Sequence, residues 1–180
     1  MTAGEAAQKI REVSSELRSE YDRYFLASVT GLTAIIQDRV QGSSTDYKGR
    51  KFSNYSTKKV QAMRFYDDAT RVKKGLSQLK ALQKKGQEIS YFDFRKLIGK
   101  TNTALNFDLS GDMWLNFGAK PEGKKVVIGF RSRSASQKAE DNSRLENVNI
   151  IRPSEGEIRG LADHLADFIF NKIKEKGLTV

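Results

Sequence analysis

Phe107-Asp108-Leu109-Ser110-Gly111-Asp112-Met113-Trp114 leads, through a Lys120-Pro121-Glu122-Gly123 turn signal, into Val126-Val127-Ile128-Gly129-Phe130, and this stretch decides the fold class. From Leu105 the chain takes on strand character. Met113, Leu115 and Phe117 alternate with Trp114 and Asn116 up to Gly118, although the Ser110-Gly111-Asp112 turn fits the start of a helical turn equally well. Val126 to Phe130 is rich in β-branched residues and reads as a buried strand, so the two runs can pair as a hairpin. A short sheet among helical patterns makes the chain α+β: a long N-terminal helix, a basic helical middle, a small antiparallel sheet and a C-terminal amphipathic helix.

Downstream, residues 131–147 are polar, with a short helix expected near Ala135–Asn142 and a further short strand over Val148 to Ile151. Ser154 and Glu157 then form a capping box just after Pro153 and launch a helix on Ile158, Leu161, Leu165, Phe168, Ile169 and Ile173, which stops at Gly177. At the other end of the chain, Thr2 and Glu5 can form a first capping box. Ile10, Val13, Leu17, Tyr21, Tyr24 and Phe25 recur every three or four residues, and Leu32, Ile35, Ile36 and Val40 carry the pattern to Gly42. Thr30-Gly31 is the place where this run could bend or break. Unbroken, residues 5–41 would span roughly 55 Å at 1.5 Å per residue, more than one small core covers. Part of the helix is therefore expected to pack on a neighbouring subunit, with Ile10, Val13, Leu17, Tyr21 and Tyr24 as candidate interface residues.

Between these ends, residues 43–56 form a loop rich in Gly, Ser and Asp. Ser56 can cap a second helix whose partial apolar face is Val60, Met63, Phe65, Tyr66 and Ala69, with Gly75 as an interruption. Leu76, Leu79, Ala81 and Leu82 give a short helix that ends near Lys84-Lys85-Gly86, where the lysines complement the carbonyl end of the dipole. The cluster Ile89, Tyr91, Phe92, Phe94, Leu97 and Ile98 has no clear period. Neither an internal repeat nor a linker divides the chain. It reads as a single domain over residues 1–180, with an N-terminal arm over 1–42, a basic helical and loop region over 43–104, and sheet plus helix over 105–180.

Charge is segregated along the chain. The net charge is +10, with 32 basic and 22 acidic residues, yet residues 48–100 alone carry 15 basic and 4 acidic side chains. Lys58, Lys59, Arg64, Arg71, Lys73, Lys74, Lys80, Lys84 and Lys85 are the candidate DNA- or partner-facing residues. Such a surface suits DNA phosphate or an acidic protein partner, or simply a solvated helix face that raises solubility. At 180 residues the chain is long enough to bury about 70 per cent of its unfolded surface. It has no cysteine, which excludes disulfides and cysteine-ligated metal and suits a reducing compartment. The N-terminus lacks a secretory pattern, and no run approaches 18 uninterrupted apolar residues, so no membrane partner is expected.

Several near-motifs fall short of chemistry. Gly118-Ala119-Lys120-Pro121-Glu122-Gly123-Lys124-Lys125 has the spacing of a phosphate loop except that Lys125 stands where a Ser or Thr must hold magnesium, and a strand follows in place of a helix. Asp112, Glu122 and Lys124 echo an acidic nuclease metal site, but Glu122 lies in a Pro-Gly turn and the trio reads as exposed hairpin charge. His164 is the sole histidine, so any Ser-His-Asp triad would have to use it. It lies off the apolar stripe of the last helix and reads as solvated. Asp67-Asp68 can pair with Arg64 or Arg71 on a helix surface. No catalytic residue, cofactor or metal is expected.

The Gly49-Arg50-Lys51-Phe52-Ser53-Asn54-Tyr55-Ser56 loop, the basic middle, Leu109-Ser110-Gly111-Asp112-Met113, Val127-Ile128-Gly129-Phe130, Ala139, Arg152-Pro153 and the amphipathic last helix follow one another in a telling order. In that order, over roughly residues 42–176, the chain resembles the tail-completion, neck or virion-morphogenesis proteins of tailed bacteriophages. It departs from them at Trp114-Leu115-Asn116 and at Ser154-Glu155. The resemblance implies an α+β subunit repeated as a ring at the head–tail junction. Its partners would be copies of itself, adjacent portal or connector and tail proteins, and non-specific contact with packaged DNA. It further implies a virion location, reached by assembly in the host cytoplasm. The alternative expectation is a stand-alone, sequence-nonspecific nucleic-acid-binding protein that uses residues 48–100.

Overall fold

The computed structural model describes residues 2–107, 111–123 and 125–177. Asp108, Leu109 and Ser110 of the opening stretch and Lys124 of the hairpin turn lie outside the described residues.

Helix α1 (Ala3–Gln41) opens on the expected capping box: the Thr2 hydroxyl accepts the Glu5 amide at 3.3 Å, and the Glu5 carboxylate accepts the Thr2 amide at 2.7 Å. It is continuous through Thr30-Gly31. A mid-helix glycine costs about 1 kcal/mol relative to alanine, which is small against the burial of Leu32, Ile36 and Val40 just after it. The helix ends before Gly42, but not through a left-handed residue, since Gly42 is right-handed at φ −79°. Glycine is needed there because a Cβ would sit 2.8 Å from the Asp38 carbonyl oxygen.

The C-terminal half of α1 carries the larger core. Leu32, Ile36 and Val40 meet Phe52, Met113, Trp114, Phe117, Ala135, Ala139 and Ile150. The expected hairpin forms from β3 (Phe117–Glu122) and β4 (Lys125–Phe130), antiparallel with Phe117 opposite Phe130 and Glu122 opposite Lys125. Each strand has only one neighbour, so Pro121, which cannot donate to a ladder, is tolerated opposite Val126. Just before β3 the alternation over Met113–Asn116 proves to be the helical option. Asp112–Leu115 is one helical turn, and adjacent Met113 and Trp114 are both buried, which alternate strand faces could not achieve against one core. That turn is α5 in chain order.

A second, smaller core organises the basic middle. Here two expectations fail. Ser56 does not cap a helix; the chain continues extended into β1 (Lys59–Gln61), which pairs antiparallel with β2 (Glu88–Ser90), Val60 opposite Ile89. Pairing with a distant strand overrides the local helical pattern. A 3-10 turn (Ala62–Phe65) then leads to α2 (Tyr66–Val72) and, after Gly75 at φ 72°, to α3 (Leu76–Lys84). The unassigned aromatic cluster becomes β2 and α4 (Tyr91–Leu97), the latter started by a Ser90–Asp93 capping box. Ala62, Phe65, Ala69, Leu79, Ile89, Phe94 and Ile98 fill this core, with Phe65 and Phe94 stacked at 5.0 Å.

The remaining elements close the larger core. α6 (Arg133–Glu146) is longer than the helix expected over 135–142, because Ser132 caps it by accepting the Ala135 amide at 3.2 Å. Val148 to Ile151 is not a strand. Asn147 turns left-handed at φ 52°, the Val148 amide returns to the Ser143 carbonyl at 2.9 Å, and the Asn149 side chain accepts the Ile151 amide. This turn drives fully buried Ile150 into the core. α7 (Glu155–Glu175) begins at the expected Ser154–Glu157 box and runs back along α1.

Candidate assembly surfaces

The nine candidate basic residues are all exposed. β1, the 3-10 turn, α2 and α3 present them around the smaller core, whose apolar side chains point inward and leave the lysines and arginines to solvent. Among the described residues only Arg71 of the nine forms an ion pair, 3.8 Å to Asp68. Lys80 lies over the Tyr66 ring at 5.9 Å. The expected Asp67–Asp68 pairing with neighbouring arginines thus reduces to Asp68 with Arg71.

Arg95 behaves differently from the rest of the basic third. It is fully buried, with its guanidinium 3.9 Å from the centre of the Tyr55 ring and 3.2 Å from the Asn106 side-chain oxygen. Tyr55 donates to the same oxygen at 2.8 Å, so Arg95 belongs to a structural network tying the 43–56 loop to α4. It is one of the 15 basic residues of 48–100 but not one of the nine surface candidates. The available clue was its position inside an aromatic run, between Phe94 and Leu97. Burial beside it raises the Tyr91 hydroxyl above its ordinary value, with the Asp68 charge acting in the same direction.

The N-terminal stripe of α1 is divided. Val13 is buried by the chain itself, Leu17 and Tyr24 are half-buried, and Ile10 and Tyr21 are exposed. The cover comes from α7. Tyr24 stacks on Phe168 at 3.8 Å and meets His164 Nε2 through its hydroxyl at 2.9 Å. Lys172 donates to Glu20 at 2.9 Å and Lys176 to Glu16 at 2.6 Å. The hydrogen bond from Lys172 holds the Glu20 carboxyl below its usual range, and the same contact lifts Lys172 above the ordinary lysine value. The bond to Glu16 lifts Lys176 likewise. His164 is solvent-exposed as expected, but it also serves as a rung between the two helices.

Between α1 and α7 lies an open groove of about 670 Å³, with Tyr24, Gly31, Leu32, Ile35, Gly160 and Leu161 among the residues that line it. The near-motifs resolve into scaffold. Gly118 pairs with Gly129 inside the hairpin, and Glu122 bonds Lys120 at 3.1 Å, while Lys124 lies outside the described residues. Among the described residues no group of three or more His, Asp and Glu side chains gathers as a metal site would require. Among the described residues no helix is long and apolar enough to cross a membrane. Comparison with protein-family models, curated proteins and solved structures gives no match.

Proposed function

We propose that the chain is a structural virion protein of a phage neck, a tail-completion or head–tail joining subunit that assembles into a ring around the DNA path between portal or connector and tail. It acts by self-association and not by catalysis, and it takes its place in the virion after assembly in the host cytoplasm. The observation that carries this reading is the uncovered apolar surface of the α1–α7 layer. None of the 21 residues of α7 is buried, and Ile10, Ile35, Ile158 and Phe170 are each more than half exposed. Exposed apolar side chains on both of these long helices support reading this layer as an interaction surface. A ring buries it in every copy through one repeated contact. The head–tail setting rests on the order of motifs set out above. The mass of the native assembly tests the reading: a closed multimer supports it. A protein that stays monomeric at every concentration and never co-migrates with connector or tail subunits from virions refutes it.

A second reading draws on the nine exposed basic side chains: sequence-nonspecific nucleic-acid binding by a stand-alone protein. It requires saturable binding to DNA of unrelated sequence, with affinity falling steeply as salt rises because phosphate neutralisation releases counterions. Charge reversal at Lys73, Lys74, Lys84 and Lys85 must weaken that binding. A monomer with this behaviour would replace the ring reading. A ring showing it would place the basic face on the DNA path.

A further inference from the structure

We propose that the α1–α7 groove is the socket of a head-to-tail contact, filled by the basic face of a second copy of this chain with Met63 entering between Gly31 and Gly160. The inference rests on the ring reading and assigns the surfaces that would close the ring.

The socket is empty of the chain's own side chains. A Cβ built on Gly31 or on Gly160 meets no atom within 4 Å, and Ile35 on the wall is 55% exposed. The groove is therefore apolar, open and shaped by two glycines that let another side chain approach the helix backbones.

Charge selects the occupant. From Glu155 to Asp167, α7 carries Glu155, Glu157, Asp163 and Asp167 against the single cation Arg159. Asp38 adds an exposed carboxylate on α1 within one turn of Ile35. Glu157 lines the groove but is already held by Arg39 at 2.8 Å, while Asp38, Glu155, Asp163 and Asp167 are exposed on the two helices that form it. Symmetric pairing of two grooves would set these carboxylates against their own copies. Residues 48–100, with 15 basic and 4 acidic side chains, supply the opposite sign. Two complementary surfaces at different places on one chain are what a heterologous contact requires.

The apolar knob follows from the same surface. Of the large apolar side chains that the fold leaves exposed, Met63, at 45%, is the one within the basic third. It sits on the 3-10 turn beside Arg64 and shortly after Lys59. An unbranched thioether adapts to an irregular cleft more readily than a branched side chain does.

The absence of native cysteine makes the contact directly testable. Ile35→Cys and Met63→Cys, combined in one chain and treated with a short bismaleimide, should give a ladder of covalent multimers on a denaturing gel. Each single variant should give none. Covalent dimers from Ile35→Cys alone would show a symmetric groove contact and overturn the proposal. A double variant that native mass shows to be assembled, yet that does not cross-link, would overturn the socket while leaving the ring. A wild-type chain that is monomeric throughout would remove both. Gly160→Leu provides a second arm, because a Cβ there meets no atom within 4 Å and the longer side chain occupies part of the groove. It should weaken assembly at least about tenfold, the scale of one lost interface anchor, without lowering the melting temperature of the dissociated chain, since leucine is the better helix former. Unweakened assembly in Gly160→Leu would also overturn the proposal.

Discussion

The two halves of α1 are one continuous helix with one apolar period, yet they are held by different physics. Toward its C-terminus Leu32, Ile36 and Val40 are sealed beneath the β3–β4 hairpin and α6, with Ile36 and Val40 wholly out of solvent, while Ile35 on the same stretch stays exposed. From Ile10 to Tyr24 only Val13 is buried, and the cover is a single antiparallel helix fixed by ring stacking and surface ion pairs. An apolar stripe says that something must cover it. It does not say whether the cover is the same chain, and here it is partly so.

Substitution along the stripe should break that comparison if it is wrong. Ile36→Ala leaves a cavity in the larger core and should cost about 2–5 kcal/mol in urea unfolding. Ile10→Ala in dilute, dissociated protein should cost less than about 0.5 kcal/mol, the usual scale for exposed positions. Equal losses at the two sites would mean that the arm is as well covered as the body. Asp46, next to the body end of α1, should come second in size. Its buried carboxylate accepts the amides of Lys48 and Arg50 at 2.8 and 2.9 Å and the Arg50 guanidinium at 2.7 Å. Burial works against the charge, but the Arg50 and Lys48 donors outweigh it and hold the carboxyl below its usual value. Its contribution is therefore complete above the unfolded carboxylate pKa of about 4 and is lost as pH falls through the lower folded value. Asp46→Asn should lower stability near neutrality by about 1–3 kcal/mol, the cost of poorly satisfied buried donors. It should also flatten the acid limb of stability against pH; an unchanged limb would show that another carboxylate controls it.

Helix caps sharpen the contrast on a smaller scale. Ser154→Ala removes the hydroxyl that accepts the Glu157 amide where Glu157 also anchors Arg39 of α1, and should cost about 1 kcal/mol. Thr2→Ala removes the same type of cap at the far end of the arm and should cost about half as much, because the first turns can fray without opening a core. Equal costs, measured by urea unfolding, would mean that the arm unfolds together with the body.

The caps were also what the sequence disclosed best. Thr2–Glu5 and Ser154–Glu157 each satisfy orphan amides within four residues, so nothing distant is needed to read them. Ser90–Asp93 has the same local logic but was hidden by the aromatic density around it. The hairpin was legible because Val126 to Phe130 is apolar at nearly every position. β1 was not, since Lys59, Val60 and Gln61 become a strand only by meeting Glu88 to Ser90, a partner that local pattern does not specify. Of the candidate surfaces, the nine lysines and arginines lie outside as their charge requires. Arg95, not one of those nine but counted in the basic charge of residues 48–100, gives no local sign of its burial beyond its place in an aromatic run, because that burial depends on Tyr55 and Asn106 arriving from elsewhere in the chain. The stripe from Ile10 to Tyr24 was legible as apolar but not as divided, for the register of α7 decides which of its residues are covered.

The smallest expected effect concerns that register. Glu20 and Lys172 are half-buried at the surface, where water and salt still screen the pair and keep its contribution small. The Glu20 carboxyl is lowered by its bond from Lys172, so its part of the pairing is present above the ordinary glutamate range and disappears as pH falls through the folded value. Lys172 is raised, so its part is present below the ordinary lysine value and disappears as pH rises through the folded one. Between those limits Lys172→Gln should shift the melting temperature less than Ser154→Ala does, and added salt should erase the difference from wild type. Hydrogen exchange at the amides of residues 13–24 is the finer probe and should quicken in the variant while exchange at 32–40 stays unchanged. Faster exchange across both segments would mean that the ion pair fixes α7 along its whole length and that the two halves of α1 are not independently held.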